Sequence, residues 1–205
     1  LASTAVQHAI FENNMTTLSF DYQPQGLEKI PSLADGDARI ISVEVKSGDI
    51  VVAADGNLVI LEPGIVLTNS EGENVPFDSA PITIEQMVVD FTMKARVWSD
   101  GRPVNAQDSV YSYNLVADPA TPQSKFTINR TASYEATGNL TTRWTGVPGF
   151  YDSTYFTNFW QPLPEHLWRS FSAAELLEAD VSSRLPVGDG PFAIEEWIPG
   201  EQIRL

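Results

Sequence analysis

The sequence predicts a mixed α+β fold, and three observations carry that expectation. Residues 87–98 alternate apolar and polar over a full strand length, an Asp-Gly pair separates two apolar runs at 50–61, and Asn105 opens a helical segment. Hydrophobic residues make up 42% of the 205 and charged residues 19%, too apolar for a disordered chain and enough for a sizeable core. Neither a repeat nor a low-complexity tract interrupts it.

Taken in order, Ser3 or Thr4 is expected to cap a short helix carrying Ala5, Val6, Ala9 and Ile10, which Asn13-Asn14 ends. Thr17 to Tyr22 alternates like a half-buried strand, and Pro24, Gly26 and Pro31 mark an irregular connection. Arg39 to Lys46 reads as a strand with Ile41, Val43 and Val45 on one face. Ile50–Ala54 and Asn57–Leu61 flank Asp55-Gly56, the signature of a tight hairpin, because glycine tolerates the positive φ of such turns. Asn69 to Ser79 is polar and punctuated by Gly and Pro, and is expected to be a loop.

Along the predicted strand Met87–Trp98, Met87, Val89, Phe91, Met93, Ala95 and Val97 point one way, and Asp90, Thr92, Lys94 and Arg96 the other. Ser99 to Pro103 turns the chain into a helix capped by Asn105, with Asp108 near its positive end and Val110 and Tyr113 on its buried face. That helix ends before Pro119. Ser133–Ala136 and Thr141–Thr145 are expected to pair around Gly138-Asn139, and an aromatic segment from Phe150 to Trp160 follows. Pro164 opens a short helix, Ser172 with Glu175 forms a capping box for another, and Phe192–Trp197 with Gln202–Leu205 makes a closing hairpin around Pro199-Gly200.

Composition excludes several functions. Twelve basic against 27 acidic residues leave a net charge of −15, which repels phosphate backbones and anionic lipid surfaces, so no nucleic-acid partner is expected. The chain has no cysteine, hence no disulfide, thiolate metal site or cysteine nucleophile. No apolar run reaches the roughly 18–20 residues of a membrane span. Leu1-Ala2-Ser3-Thr4 does not read as a signal peptide, so the chain is expected to begin inside a mature protein or domain.

Catalytic and metal readings find little support. The two histidines, His8 and His166, stand in no paired zinc spacing, and neither a G-x-S-x-G elbow nor a P-loop occurs. Glu195-Glu196 and Glu175 with Glu178 are better read as solvated charge than as glycosidase pairs. No catalytic residue, metal ligand or cofactor is therefore expected. Tyr151, Tyr155 and Trp160 are the candidate ligand contacts, because aromatic faces stack on sugars and peptide side chains; packing between parts of the protein competes as a use for them.

Three segments carry a resemblance. Trp98-Ser99-Asp100-Gly101 through Asn105-Ala106-Gln107-Asp108-Ser109-Val110-Tyr111-Ser112-Tyr113 resembles the turn and capped helix, T-A-x-D-V-x-x-S-[FY], of bacterial extracellular solute-binding proteins of family 5. Leu163-Pro164-Glu165-His166 is similar to that family's L-P-x-H. Pro186-Val187-Gly188-Asp189-Gly190-Pro191-Phe192, running into Glu196-Trp197, is similar to its P-V-G-T-G-P-Y and the E-x-W that follows. Asp189 stands where the family has a small hydroxyl residue, Phe192 where it has Tyr, and Asn13 after Glu12 where it has Gly.

The resemblance implies a periplasmic-binding-protein type II-like fold, with residues 1–140 as the family's small extra domain, including a β-sheet and the helix 105–117. Residues 141–205 would be part of the first lobe, truncated before the second. It implies the substrate-binding component of an ABC importer, not an enzyme, at the periplasmic or extracellular face of the membrane. The ligand would be a peptide or an oligosaccharide, and the membrane subunits of the transporter would be partners. A carbohydrate-binding member and a cell-surface hydrolase are the alternatives, and a homodimer through the truncated face is a further expectation.

Overall fold

The computed structural model of the chain describes residues 2–198 and 200–205. It opens with α1 (Ala2–Ile10), the hairpin strands β1 (Met15–Thr16) and β2 (Gln23–Pro24), and the long strand β3 (Ala38–Val45). Two short hairpins follow, β4 (Ile50–Val52) with β5 (Leu58–Ile60) and β6 (Val66–Thr68) with β7 (Asn74–Pro76). Next come the longest strand, β8 (Ile82–Thr92), the helices α2 (Ala106–Ala117) and α3 (Phe126–Asn129), and the hairpin β9 (Thr131–Ala136) and β10 (Thr141–Gly146). Short helices α4 (Glu165–Trp168), α5 (Ala173–Leu176) and α6 (Asp180–Ser183) lead to the last hairpin, β11 (Glu196–Ile198) and β12 (Gln202–Arg204). The predicted α+β class holds.

One antiparallel sheet organises the middle of the chain, in the order β3-β8-β10-β9. Side chains alternate across a strand, so β8 serves two cores. Met87, Val89 and Phe91 face a cluster with Leu27, Ala38, Met93, Trp144 and Tyr134, beneath α2. Ile84, of the opposite parity, joins Val45, Val51, Leu61, Leu67 and Phe77, contributed mainly by the small hairpins. Asp90, also at an even position, accepts from Arg39 (2.7 Å) and from Arg143 Nε (2.6 Å), one on each flanking strand.

Helix α2 begins as expected. Asn105 Oδ1 accepts from Gln107 N–H (2.8 Å), and Asp108 Oδ2 accepts from Asn105 N–H (2.9 Å), closing a capping box. Its fully buried positions are Ala106, Asp108, Ser109 and Ser112, while the expected Val110 and Tyr113 are only half-buried. Small residues let the helix lie close to the sheet, and Ser109 hydrogen-bonds the Tyr134 hydroxyl (2.7 Å), which bonds Thr142 in turn (3.0 Å). Burial pushes the Tyr134 phenol up to about 12, so it stays a neutral donor.

Several local expectations need correction. The alternation of 87–98 does not persist: β8 starts earlier, at Ile82, and ends at Thr92, where its paired strands run out. Beyond Met93 the inward face changes, so Ala95 and Val97 are exposed while Arg96 and Trp98 turn in. Thr17–Tyr22 is not a strand but the loop joining β1 and β2, with Leu18 and Phe20 exposed. The expected loop at 69–79 contains β7, paired with β6. The Asp55-Gly56 turn is a residue longer than a two-residue loop. Ala53 N–H reaches Asn57 O and Gly56 N–H reaches Ala53 O, with Gly56 at φ 84°. Helix α1 already runs from Ala2; the side chains of residues 2–5, and with them capping by Ser3 or Thr4, lie outside the described part, as does Pro199. The β9–β10, α5 and β11–β12 expectations hold, although the helix capped by Ser172 stops at Leu176.

Candidate ligand-binding site

The three motif segments, scattered over residues 98–192, meet in space. Ser99 N–H donates to Gly188 O (2.8 Å), Leu163 N–H to Asp108 O (3.2 Å), and His166 Nε2 lies 2.8 Å from Asp100 Oδ2. His166 thus braces the Asp-Gly turn, and its ring lies tilted against Trp98 at 6.3 Å. The two glycines of Gly188-Asp189-Gly190 are explained by close approach to α1: a Cβ on Gly188 would fall 1.8 Å from Ile10 O, and one on Gly190 2.7 Å from Ile10 C. That contact lets Gly190 N–H donate to Ile10 O (2.8 Å) and Phe192 N–H to Ala9 O (3.1 Å).

Between these glycines, Asp189 forms an ion pair with the inward-turned Arg96, Nε to Oδ2 at 2.6 Å. The Asp189 side chain is 0% exposed and that of Arg96 10%. Asp189 Oδ1 also accepts from Glu12 N–H (3.1 Å), and Arg96 Nη1 donates to Gly26 O (2.9 Å). Gln161 Nε2 donates to Glu12 O (2.5 Å), so the backbone of Glu12 is held on both sides by distant side chains. Burial raises the pKa of Asp189 above the usual carboxylate value, and the Arg96 charge and the Glu12 N–H offset this only in part. In the sequence Asp189 stands out as a departure from the family pattern, while the strand alternation puts Arg96 on the outer face.

Beside the clamped segment opens a pocket of about 430 Å³ lined by His8, Asn13, Met15, Thr16, Leu18 and Gln25, among others. Of its polar side chains the sequence singles out only His8 and Asn13, neither as a ligand contact, because nothing local distinguishes the others from loop residues.

The three candidate aromatics are not brought together. The Tyr155 hydroxyl accepts from Leu33 N–H (3.2 Å), and its ring packs edge-on against Phe156 (5.8 Å). Trp160 packs edge-on against Tyr134 (4.7 Å) and Tyr113 (4.8 Å), and its carbonyl accepts from Ser109. Tyr151 is 44% exposed; its hydroxyl donates to Glu85 Oε2 (2.7 Å), and burial together with that carboxylate raises its pKa.

Residues 84–205 match the family model described as bacterial extracellular solute-binding proteins, family 5 Middle. The chain belongs to this family. Family 5 proteins are binding proteins, and their description places them outside the cell membrane. A protein of Brucella melitensis is 26% identical over 134 residues, 62% of this chain and 20% of that protein. Oligopeptide-binding protein AppA of Bacillus subtilis is 24% identical over 116 residues, 52% of this chain and 20% of AppA. The chain therefore spans about a fifth of the length of these curated relatives.

Among solved structures, the oligopeptide-binding protein of Thermus thermophilus, complexed with a pentapeptide, superposes with a TM-score of 0.60 at 15% identity. That match covers 97% of this chain and 31% of that one. A periplasmic oligopeptide-binding protein of Thermotoga maritima with bound mannohexaose gives 0.50 at 16% identity, covering 92% and 26%. These matches establish the fold as periplasmic-binding-protein type II of family 5. The comparisons lend no support to the expected homodimer. In this family 5 chain the motif residues, with Arg96, form the clasp that joins α1, the segment 96–99 after β8 and the 186–192 turn.

Proposed function

We propose that the whole protein is the substrate-binding component of an ABC importer, holding peptides or similar small nutrients at the periplasmic or extracellular face of the membrane. The match of residues 84–205 to family 5 carries this reading. The pocket beside Glu12 supports it locally, since Asn13, Thr16 and Gln25 supply amide and hydroxyl groups suited to a peptide backbone. Among Tyr151, Tyr155 and Trp160, only Tyr151 keeps a largely exposed ring, and it lines a groove that shares no residue with this pocket. The other two are engaged in packing and in holding neighbouring backbone. The membrane subunits of the transporter are the implied partners, and delivery, not chemistry, is the implied task.

The division into a small extra domain and part of the first lobe belongs to the same proposal, with an amended boundary. Residue 140 lies in the β9–β10 hairpin, so a division there would separate paired strands. Helix α1 hydrogen-bonds the 190–192 segment, which favours grouping both ends of the chain in the lobe and the sheet with its hairpins in the extra domain.

The carbohydrate reading is kept as a second arm, because the Thermotoga maritima protein of like fold holds mannohexaose. The test is mass spectrometry of ligand co-purified with the full-length protein, followed by calorimetric titration with peptides and oligosaccharides. Peptide binding without turnover is the expected result. Tighter oligosaccharide binding would move the reading to the carbohydrate arm, and hydrolysis of the ligand would overturn it.

A further inference from the structure

A second groove of about 420 Å³ lies between the β4–β5 hairpin, α3 and the loop after β10. Val52, Ala53, Phe126, Arg130, Phe150 and Tyr151 are among its walls. Among the described residues its one charged lining side chain is Arg130. The guanidinium carbon stands 3.9 Å from the Phe126 ring centroid and 5.7 Å from that of Phe150. Among the described residues no carboxylate lies within 4.0 Å of it, although the chain carries 27 acidic residues and pairs Arg39, Arg96, Arg102, Arg143, Arg184 and Arg204 with them. A guanidinium stacked on a ring has its flat face covered and leaves its N–H edges to donate, the geometry that takes a carboxylate through two bonds.

The walls are held in place. Val147 N–H donates to Arg130 O (2.8 Å), Val52 N–H to Pro148 O (2.9 Å), and Gly149 N–H to Glu85 O (2.8 Å). Gly149 lies so close to the β4 backbone that a Cβ there would fall 2.4 Å from Val52 O. Phe150 packs edge-on against the buried Trp144 (6.3 Å), and the Tyr151 hydroxyl is anchored on Glu85. Two rings nevertheless face outward, Phe126 at 58% and Tyr151 at 44% exposure. A groove walled in part by aromatic rings, with a guanidinium lying against one of them, suits a ligand with a ring at one end and an anion at the other.

We propose that this groove is a second binding site, for small carboxylates bearing an aromatic ring, with Arg130 holding the carboxylate and Phe126 and Tyr151 flanking the ring. The site goes beyond the solute-binding reading and does not depend on it. The carboxylate has two possible sources, the C-terminal residue of a peptide and a free aromatic acid.

The 205-residue chain, labelled with ¹⁵N, is titrated with N-acetyl-glycyl-phenylalanine, with its C-terminal amide, and with phenylacetate, and followed by amide chemical shifts. The acid form should shift signals of residues 126–130 and 149–151, and the neutral amide should bind at least about tenfold more weakly. Arg130→Gln should weaken the acid at least about tenfold while leaving the rest of the spectrum in place. Arg130→Lys should not restore it, because an ammonium lacks the planar fork. Tighter binding of the peptide acid assigns the source to peptide C termini, and tighter binding of phenylacetate to free acids. Equal binding of acid and amide to the wild-type chain, an Arg130→Gln variant that binds undiminished, or shifts confined to other residues would overturn the site. Failure of the importer reading would appear instead in the full-length titrations.

Discussion

Replacing Asp189 by Ala should be among the most damaging single changes in the chain. Asp189 is fully enclosed and Arg96 has only a tenth of its side chain exposed, so the change leaves a guanidinium buried without its counter-charge. It also removes the acceptor of the Glu12 N–H. Breaking a buried pair from one side costs about 3–5 kcal/mol, a large part of the roughly 5–15 kcal/mol that holds a typical domain together. The pair as a whole contributes far less, because both charges have lost their hydration and burial already raises the pKa of Asp189. Arg96→Met combined with Asp189→Thr should therefore be more stable than Asp189→Ala alone. Urea unfolding followed by circular dichroism at neutral pH measures all of these variants, and the double-mutant cycle through Arg96→Met and Asp189→Thr isolates the coupling. An Asp189→Ala variant within about 1 kcal/mol of wild type would show that the Arg96 charge reaches water. A double variant no better than Asp189→Ala would refute the claim that the stranded charge sets the cost.

Three further outcomes follow from the same geometry. Burial raises the pKa of Asp90, but hydrogen bonds and charge from Arg143 and Arg39 outweigh it and hold the carboxyl below its ordinary value. Its stabilising contribution is thus present above the unfolded carboxylate pKa of about 3.9 and lost as pH falls through the lower folded value. Asp90→Asn should flatten the decline of the urea midpoint on acidification below about pH 4, and an unchanged slope would contradict this. Asn105→Ala should cost about 0.5–2 kcal/mol, read from thermal unfolding, because the Gln107 N–H loses its acceptor. Gly188→Ala should detach α1 from the 186–192 turn, since the new methyl meets Ile10 O at 1.8 Å, and limited proteolysis near the N terminus should accelerate.

Features set by neighbours a few residues apart were legible in the sequence. The Asn105 cap, the Ser172–Glu175 capping box, the glycine at the Asp55-Gly56 turn and the β9–β10 hairpin rest on such contacts, and each appears in the structure. The family motifs were legible for a related reason: Gly188 and Gly190 are required by a backbone approach that no side chain permits. What failed depended on distant partners. The period-two pattern through Met87–Trp98 was extended past the point where β3 and β10 stop pairing with β8, so Arg96 was placed outward. The partner that draws it inward, Asp189, lies 93 residues away. The Thr17–Tyr22 alternation had no strand to pair with, and the polar run 69–79 had one in β6.

Local chemistry by itself therefore determined the α+β class, the caps, the turn glycines and the family. Tertiary structure alone decided that the three motifs form one clasp, that β8 serves two cores, and that Tyr151, Tyr155 and Trp160 part company. The physical reason is range. A cap or a tight turn satisfies its backbone groups within a few residues, whereas the placement of a buried charge or an aromatic ring depends on what the rest of the chain brings against it.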